Sequence, residues 1–159
     1  MNEKLENYLK SCFLLISFEL DPLNELSTNR LVHITQTLRI AFAIGGIYWG
    51  NAAFKAKSWQ KAIGFYTDAI KLNSTTATYF SNRAAAYLEA GSFIQAGADC
   101  TKAIDLDKKN VKAYLRRGTA REMLGCYKEA IEDFRYALVL EPTNKRAAVS
   151  ADRLTKLFQ

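Results

Sequence analysis

The chain has 159 residues, of which 49% are hydrophobic and 24% are charged. That balance is typical of a protein that buries a core, and it excludes an intrinsically disordered one. The 2 prolines and 8 glycines are too few for a collagen-like, linker-like or turn-rich all-β protein. Runs of alanine among Lys, Glu and Leu favour helix. The composition therefore predicts an all-α fold.

Basic side chains exceed acidic ones by 22 to 16, which gives a formal net charge of +6. Residues 1–42 carry four basic and five acidic side chains, so the excess lies downstream of them. A basic excess is compatible with a nucleic acid, an anionic membrane or an acidic peptide as partner. Because the sequence contains no run of five basic residues and no nucleic-acid-binding motif, we do not expect nucleic acid.

The cysteines and the single histidine indicate no metal site or other cofactor. Cys12, Cys100 and Cys126 are odd in number and widely spaced, which is typical of packing thiols in a reducing compartment. No Cys or His lies at ligand spacing from His33. The sequence also offers no catalytic residues: no nucleophile with its base, no phosphate loop and no paired buried carboxylates.

Membrane insertion and secretion are not expected either. The apolar stretches at residues 12–18 and 40–50 are shorter than the roughly 20 residues that a bilayer core requires. Glu3 and Glu6 stand where a secretory signal peptide would carry positive charge. We therefore expect a soluble chain without an anchor of its own.

Residues 1–42 predict helices that precede the main domain. The first helix would place five apolar residues on one side, namely Leu5, Leu9, Cys12, Phe13 and Ile16. Asp21-Pro22 would end it, and Ser27 or Thr28 would cap a second helix over residues 31–44. We expect this segment either to cover the open end of the following domain or to be poorly ordered.

From residue 43 the chain repeats itself three times without insertion, in units of 34 residues at 43–76, 77–110 and 111–144. Small residues recur at three places in the unit, and an aromatic residue recurs at a fourth. These columns are Gly50, Ala84 and Gly118; Trp59, Phe93 and Tyr127; Ala62, Ala96 and Ala130; and Ala69, Ala103 and Ala137. Such spacing lets two helices cross closely, with the aromatic residue at the turn between them.

This pattern resembles the tetratricopeptide repeat (TPR) family over about three quarters of the chain. The resemblance implies an all-α fold of three helix-turn-helix repeats in a right-handed superhelix. The first helix of each unit is expected at 43–56, 77–90 and 111–124, and the second at 59–72, 93–106 and 127–140. Gly91 and Gly125 fall at helix ends, and Pro142 closes the third unit.

A last helix is predicted over residues 145–158, within a TPR domain that extends from 43 to 159. Its apolar face would consist of Ala148, Ala151, Leu154 and Phe158. Such a helix covers the apolar surface that the final repeat of an array would otherwise expose.

One class of TPR domains grips the free C-terminal carboxylate of heat-shock protein 90 or 70, whose tails end in Glu-Glu-Val-Asp. Resemblance to that class implies that Asn51, Asn82, Lys112 and Arg116 bind the peptide carboxylate. Lys112 and Arg116 are four residues apart, so they share one helix face. Asn82 holds the same place in its unit as Arg116. Two amides and two cations at one spot can satisfy both carboxylates of a terminal aspartate.

The first unit departs from that class. The class has a fifth binding residue, a lysine four positions before the asparagine of the first unit, and this sequence has Ile47 at that position. Gly45 and Gly46 would each weaken the first helix by about 1 kcal/mol. We expect weaker binding, retained selectivity for a free C-terminus and an imperfect first helix. Arg117 and Arg121 are expected to be solvated. The alternative is a generic TPR scaffold that binds another protein surface, with the carboxylate site impaired by Ile47.

Residues 121–159 resemble the end of a family of plant outer-envelope preprotein receptors, in which an anchor and an amidase-like domain precede the repeats. That resemblance implies a co-chaperone or docking receptor that is not an enzyme. It would lie in the cytosol or on the cytosolic face of the chloroplast or mitochondrial outer membrane. The 159 residues leave no room for the first two parts, so we expect a TPR-only fragment or isoform.

Overall fold

A computed structural model describes residues 28–157 of the chain. This part forms seven α-helices and no β-strand. They are α1 (Thr28–Lys55), α2 (Trp59–Leu72), α3 (Ala77–Glu89), α4 (Phe93–Leu106), α5 (Val111–Met123), α6 (Tyr127–Leu140) and α7 (Lys145–Lys156). Each helix packs against the next, and α3 also contacts α5. The predicted all-α fold of three helical pairs and a final helix is confirmed.

The turns inside the second and third pairs are closed by the predicted glycines. Gly91 and Gly125 have positive φ angles of 75° and 78°. Glycine adopts this left-handed conformation after a helix without steric cost. Lys57 takes the same place in the turn of the first pair, with φ 57°, where a residue with a side chain is strained.

The repeated small residues form the contacts between the helices of each pair. The alanines of two columns are fully buried in all three units: Ala62, Ala96, Ala130, Ala69, Ala103 and Ala137. A Cβ atom on Gly50 would overlap the Tyr66 ring, and one on Gly118 would lie 2.9 Å from the Phe134 ring. The close approach of the two helices therefore requires glycine at both places.

The first helix is longer than predicted. α1 runs without a break from Thr28 through residues 42 and 43, so the second predicted N-terminal helix and the first helix of the repeats are one element. Gly45 and Gly46 do not interrupt it. A Cβ atom on Gly46 would lie 3.0 Å from the Phe65 carbonyl oxygen, so this glycine lets α1 approach α2. The imperfection expected at these glycines is not found.

The predicted N-terminal helix with the apolar side Leu5 to Ile16 lies outside the described residues. Although α1 is 28 residues long, no helix between residues 28 and 157 combines the length and apolar character needed to cross a membrane.

The final helix covers the third pair as predicted, and two residues of its predicted apolar face, Ala151 and Leu154, are buried. Its buried residues are Ala147, Ala151 and Leu154, whereas Ala148 is exposed. The prediction is wrong only at Ala148: Ala147 also follows helical spacing with Ala151 and Leu154, and it is the alanine that packs into the core. Phe158 lies outside the described residues.

One largely buried ion pair joins the helices of the second pair. Arg83 of α3 donates two hydrogen bonds to the Asp99 carboxylate of α4, at 2.7 and 2.8 Å. A third N–H donates to the Thr67 hydroxyl of α2 at 3.0 Å. This arginine therefore joins its own pair and also ties it to the preceding one.

The same arrangement recurs one unit later and corrects a prediction. Arg117 donates to the Asp133 carboxylate at 2.7 and 3.0 Å and to the Thr101 hydroxyl at 3.2 Å. Arg121 adds a bond to Asp133 at 2.8 Å. The expectation that Arg117 and Arg121 are solvated is wrong, because the Asp133 side chain is only 3% exposed and binds both guanidinium groups.

The two described cysteines also differ from each other. Cys100 is fully buried in α4, as a packing thiol would be, and burial raises its pKa to about 12. Cys126, just before α6, is exposed, so the packing role predicted for it is wrong. Cys12 lies outside the described residues, and His33 is exposed on α1.

Candidate functional site

A cavity of about 160 Å³ opens where α1, α3 and α5 meet. Its lining consists of Asn51, Phe54, Tyr66, Asn82, Ala85 and Arg116. Three of the four residues predicted to bind a carboxylate therefore come together, one from the first helix of each pair. The repeat explains this arrangement, since stacked units place equivalent residues side by side.

Asn51 is held by a residue of the second helix. It follows Gly50, where α1 lies closest to α2, and its Oδ1 accepts a hydrogen bond from the Tyr66 hydroxyl at 2.7 Å. The Asn82 Nδ2 group donates to the same oxygen over a longer distance of 3.5 Å. Because Tyr66 occupies the amide oxygen, the N–H groups of Asn51 remain as donors for an acceptor.

Arg116 is the cationic group of the cavity. Its Nη1 donates to the Ser81 carbonyl oxygen at 2.8 Å and to the Ser81 hydroxyl at 2.6 Å, and both acceptors are neutral. Burial lowers the pKa of Arg116 below its ordinary value, and the positive charge of Arg146 lowers it further. A guanidinium remains charged at neutral pH, and a desolvated charge without a counter-ion is destabilising.

Other arginines of the array are bound differently. Four of them pair with a carboxylate at 2.7 or 2.8 Å, namely Arg83, Arg117, Arg121 and Arg153. Within residues 28–157, Arg116 forms no such pair. Its surroundings therefore favour an anion that comes from another molecule.

Lys112 lies one helical turn before Arg116 on α5 and is exposed. It does not line the cavity. The structure thus brings Asn51, Asn82 and Arg116 together and leaves Lys112 beside them. A role for Lys112 in binding stays a prediction, which depends on the reach of its flexible side chain.

Ile47 has a packing role in place of the missing lysine. It is partly buried against two clusters of the core, one containing Tyr66 and the other Tyr79. This part of α1 therefore contributes apolar contacts to α2 and α3 and no positive charge.

Sequence reasoning missed Tyr66. It shares a column with Cys100 and Phe134, and all three are buried. A buried tyrosine needs a partner for its hydroxyl, so the one polar member of an otherwise apolar column was the available signal. Burial raises the pKa of Tyr66, while the charge of Arg116 opposes that shift. The hydroxyl therefore keeps the proton that it donates to Asn51.

Comparison with known proteins gives one family. Residues 111–144 match the tetratricopeptide repeat family. Over 110 residues, or 69% of the chain, the sequence is 76% identical to the translocon at the outer membrane of chloroplasts 64 of Pisum sativum. The matched region spans only 18% of that pea protein.

Two solved structures are similar over nearly their whole length. The Arabidopsis OM64 TPR domain is 61% identical, with a TM-score of 0.73, over 74% of this chain and 98% of that one. The first TPR of Spaghetti (RPAP3), bound to the HSP90 peptide SRMEEVD, is 32% identical, with a TM-score of 0.74, over 75% of this chain and 94% of that one. The chain therefore belongs to the tetratricopeptide repeat family.

Proposed function

We propose that this chain is a protein-interaction module that binds the acidic C-terminal tail, ending in Glu-Glu-Val-Asp, of heat-shock protein 90 or 70. The observation that carries the proposal is the surroundings of Arg116, which is largely removed from water and bonded to neutral oxygens. Asn51 and Asn82 line the same cavity. A terminal aspartate has two carboxylates, which would supply the counter-charge and accept hydrogen bonds from these groups.

The similar proteins support this proposal and extend it. One structural neighbour is bound to an HSP90 peptide that ends in Glu-Glu-Val-Asp, and the pea relative is a translocon component of the chloroplast outer membrane. We infer that residues 43–159 form the binding domain of a co-chaperone or docking receptor for preproteins, without enzymatic activity. It would act in the cytosol or on the cytosolic face of the chloroplast or mitochondrial outer membrane.

Binding should be of moderate strength. A few anchoring contacts must offset the ordering of a flexible tail. We expect a micromolar dissociation constant, or about −7 to −8 kcal/mol.

Calorimetric titration with a peptide ending in Glu-Glu-Val-Asp tests the proposal directly. The same peptide with an amidated C-terminus lacks the main-chain carboxylate and should bind at least tenfold more weakly, since charge-assisted bonds at a desolvated site are lost. Equal affinity for the two peptides would overturn the proposal.

Variants assign the effect to the cavity in the same titration. Arg116→Ala should weaken binding of the free-acid peptide by about 30-fold or more, which corresponds to the loss of about 2 kcal/mol or more from a buried charged contact. Arg135→Ala removes an equal charge from an exposed place on α6 and is the matched control. Similar losses in both variants would mean that only overall charge matters.

The second candidate is a TPR scaffold for another protein surface. The observation that favours it is Ile47, which is packed into the core where the carboxylate-binding class has a lysine. A scaffold of that kind would not distinguish the free-acid peptide from the amidated one.

A further inference from the structure

The final helix brings a second guanidinium group to the helix that carries Arg116. Arg146, near the start of α7, donates from Nη2 to the Thr119 hydroxyl of α5 at 3.1 Å. Thr119 is three residues after Arg116, so the two side chains share a helix face. In the third unit, Thr119 also holds the place of Asn51 in the first and Ala85 in the second, both of which line the cavity. Arg146 is therefore bonded to the residue of the third unit that corresponds to two cavity residues of the first and second units.

Arg146 resembles Arg116 in its partners. It is exposed, its hydrogen bond goes to a neutral hydroxyl, and no described carboxylate pairs with it. The positive charge of Arg146 lowers the pKa of Arg116. Arg153 on the same helix differs, because it pairs with Glu122 at 2.7 Å. Two like charges side by side would be stabilised by an anionic ligand that lies against both.

We propose that Arg146 recognises an acidic side chain two residues before the C-terminal residue of the bound peptide. The proposal rests on the carboxylate site proposed above. Side chains three residues apart on a helix are about 5–6 Å from each other, which is the spacing expected between Arg116 and Thr119. In an extended peptide, side chains two apart lie on one face at about 6.6–7 Å. A peptide whose end is held at Arg116 and whose chain runs towards α7 would place that side chain near Thr119, where Arg146 is bonded.

This geometry also identifies the peptide residue that Arg146 would recognise. In a tail ending in Glu-Glu-Val-Asp, the side chain two places before the aspartate is a glutamate. The valine between them points to the opposite face of the extended peptide. The inferred specificity is therefore for an acidic residue at that place and not for overall acidity.

A double-mutant cycle tests the pairing by calorimetry. The unaltered chain and its Arg146→Ala variant are each titrated with a peptide ending in Glu-Glu-Val-Asp and with one ending in Glu-Gln-Val-Asp. We expect Arg146→Ala to weaken binding of the first peptide about two- to fivefold, which is the range for an exposed ion pair. Binding of the second peptide should not change. The difference should shrink at high salt.

Lys145→Ala is the matched control, because it removes the same charge from the adjacent exposed residue of α7. It should affect both peptides equally. Equal weakening of both peptides by Arg146→Ala would overturn the pairing, since a general charge effect or a disturbed α7 does not depend on one peptide side chain.

The C-terminally amidated peptide separates this proposal from the one on which it rests. If amidation weakens binding while Arg146 shows no coupling to the glutamate, the carboxylate site stands and the pairing fails. If amidation changes nothing, the carboxylate site fails and the pairing fails with it.

Discussion

Arg116 and Arg117 are adjacent in the sequence, yet their guanidinium groups have different surroundings. Arg117 is bound to the buried Asp133 carboxylate, whereas Arg116 donates to neutral oxygens of Ser81. An α-helix turns by about 100° per residue, so neighbours on α5 project to different sides. Arg117 therefore lies between the two helices of its pair, and Arg116 lines the cavity.

The buried carboxylate gives a prediction about stability. Asp133→Ala would leave Arg117 and Arg121 without their shared partner, and we expect the free energy of unfolding to fall by about 2–4 kcal/mol. Denaturant unfolding followed by circular dichroism measures this change. The control is Asp105→Ala, because Asp105 pairs with Lys108 on the surface and is 58% exposed, so the expected loss is at most about 1 kcal/mol. Equal losses would contradict the structural role of Asp133.

At the scale of elements, the crossing of α1 and α2 connects packing to the candidate site. Gly50 allows the Tyr66 ring to lie against α1, and the Tyr66 hydroxyl then orients the Asn51 amide. The contact that brings the helices together therefore also prepares a donor in the cavity.

Two glycines of α1 test this connection. Gly50→Ala should lower the free energy of unfolding by about 1–3 kcal/mol, because the new methyl group overlaps the Tyr66 ring. The substitution should also weaken binding of the free-acid peptide, because it displaces the Tyr66 ring whose hydroxyl holds Asn51. Gly45→Ala is the matched control: a Cβ atom there meets nothing within 4 Å, so the helix should gain about 0.5–1 kcal/mol. Destabilisation by both variants would disprove the specific role of Gly50.

At the scale of the whole molecule, the reactivity of the two described thiols can show whether the packed helices separate. Cys100 is fully buried in α4, and Cys126 is exposed at the turn before α6. The thiolate is the form that reacts with alkylating reagents. Because burial raises the pKa of Cys100 to about 12, that thiol stays protonated and shielded in the folded chain.

Alkylation followed by peptide mass mapping checks this arrangement. We expect Cys126 to be labelled rapidly at pH 8 and Cys100 to be labelled only as fast as the array opens. Raising the pH to 9 should leave Cys100 protected, since its pKa of about 12 lies well above that value. Labelling of both thiols at one rate in the native chain would show that the core around α4 is not closed.

The repeat and most of the helix boundaries follow from the order of the residues alone. Helices α2 to α6 begin where predicted and end within one residue of the predicted place. The reason is that the same pattern of small and aromatic residues occurs in each of the three units, so three copies define one register. That register also placed Asn51, Asn82 and Arg116 around one cavity, although it left open which polar groups would hold them.

The partner of each polar side chain, by contrast, depends on how the helices pack against one another. The Tyr66 hydroxyl on Asn51, Asp133 between Arg117 and Arg121, and Arg146 on Thr119 are all contacts between different helices. The continuity of α1 and the burial of Ala147 in place of Ala148 also depend on packing between helices. Periodicity records which residues of a helix share a face, but the rotation and spacing of packed helices determine what lies opposite that face.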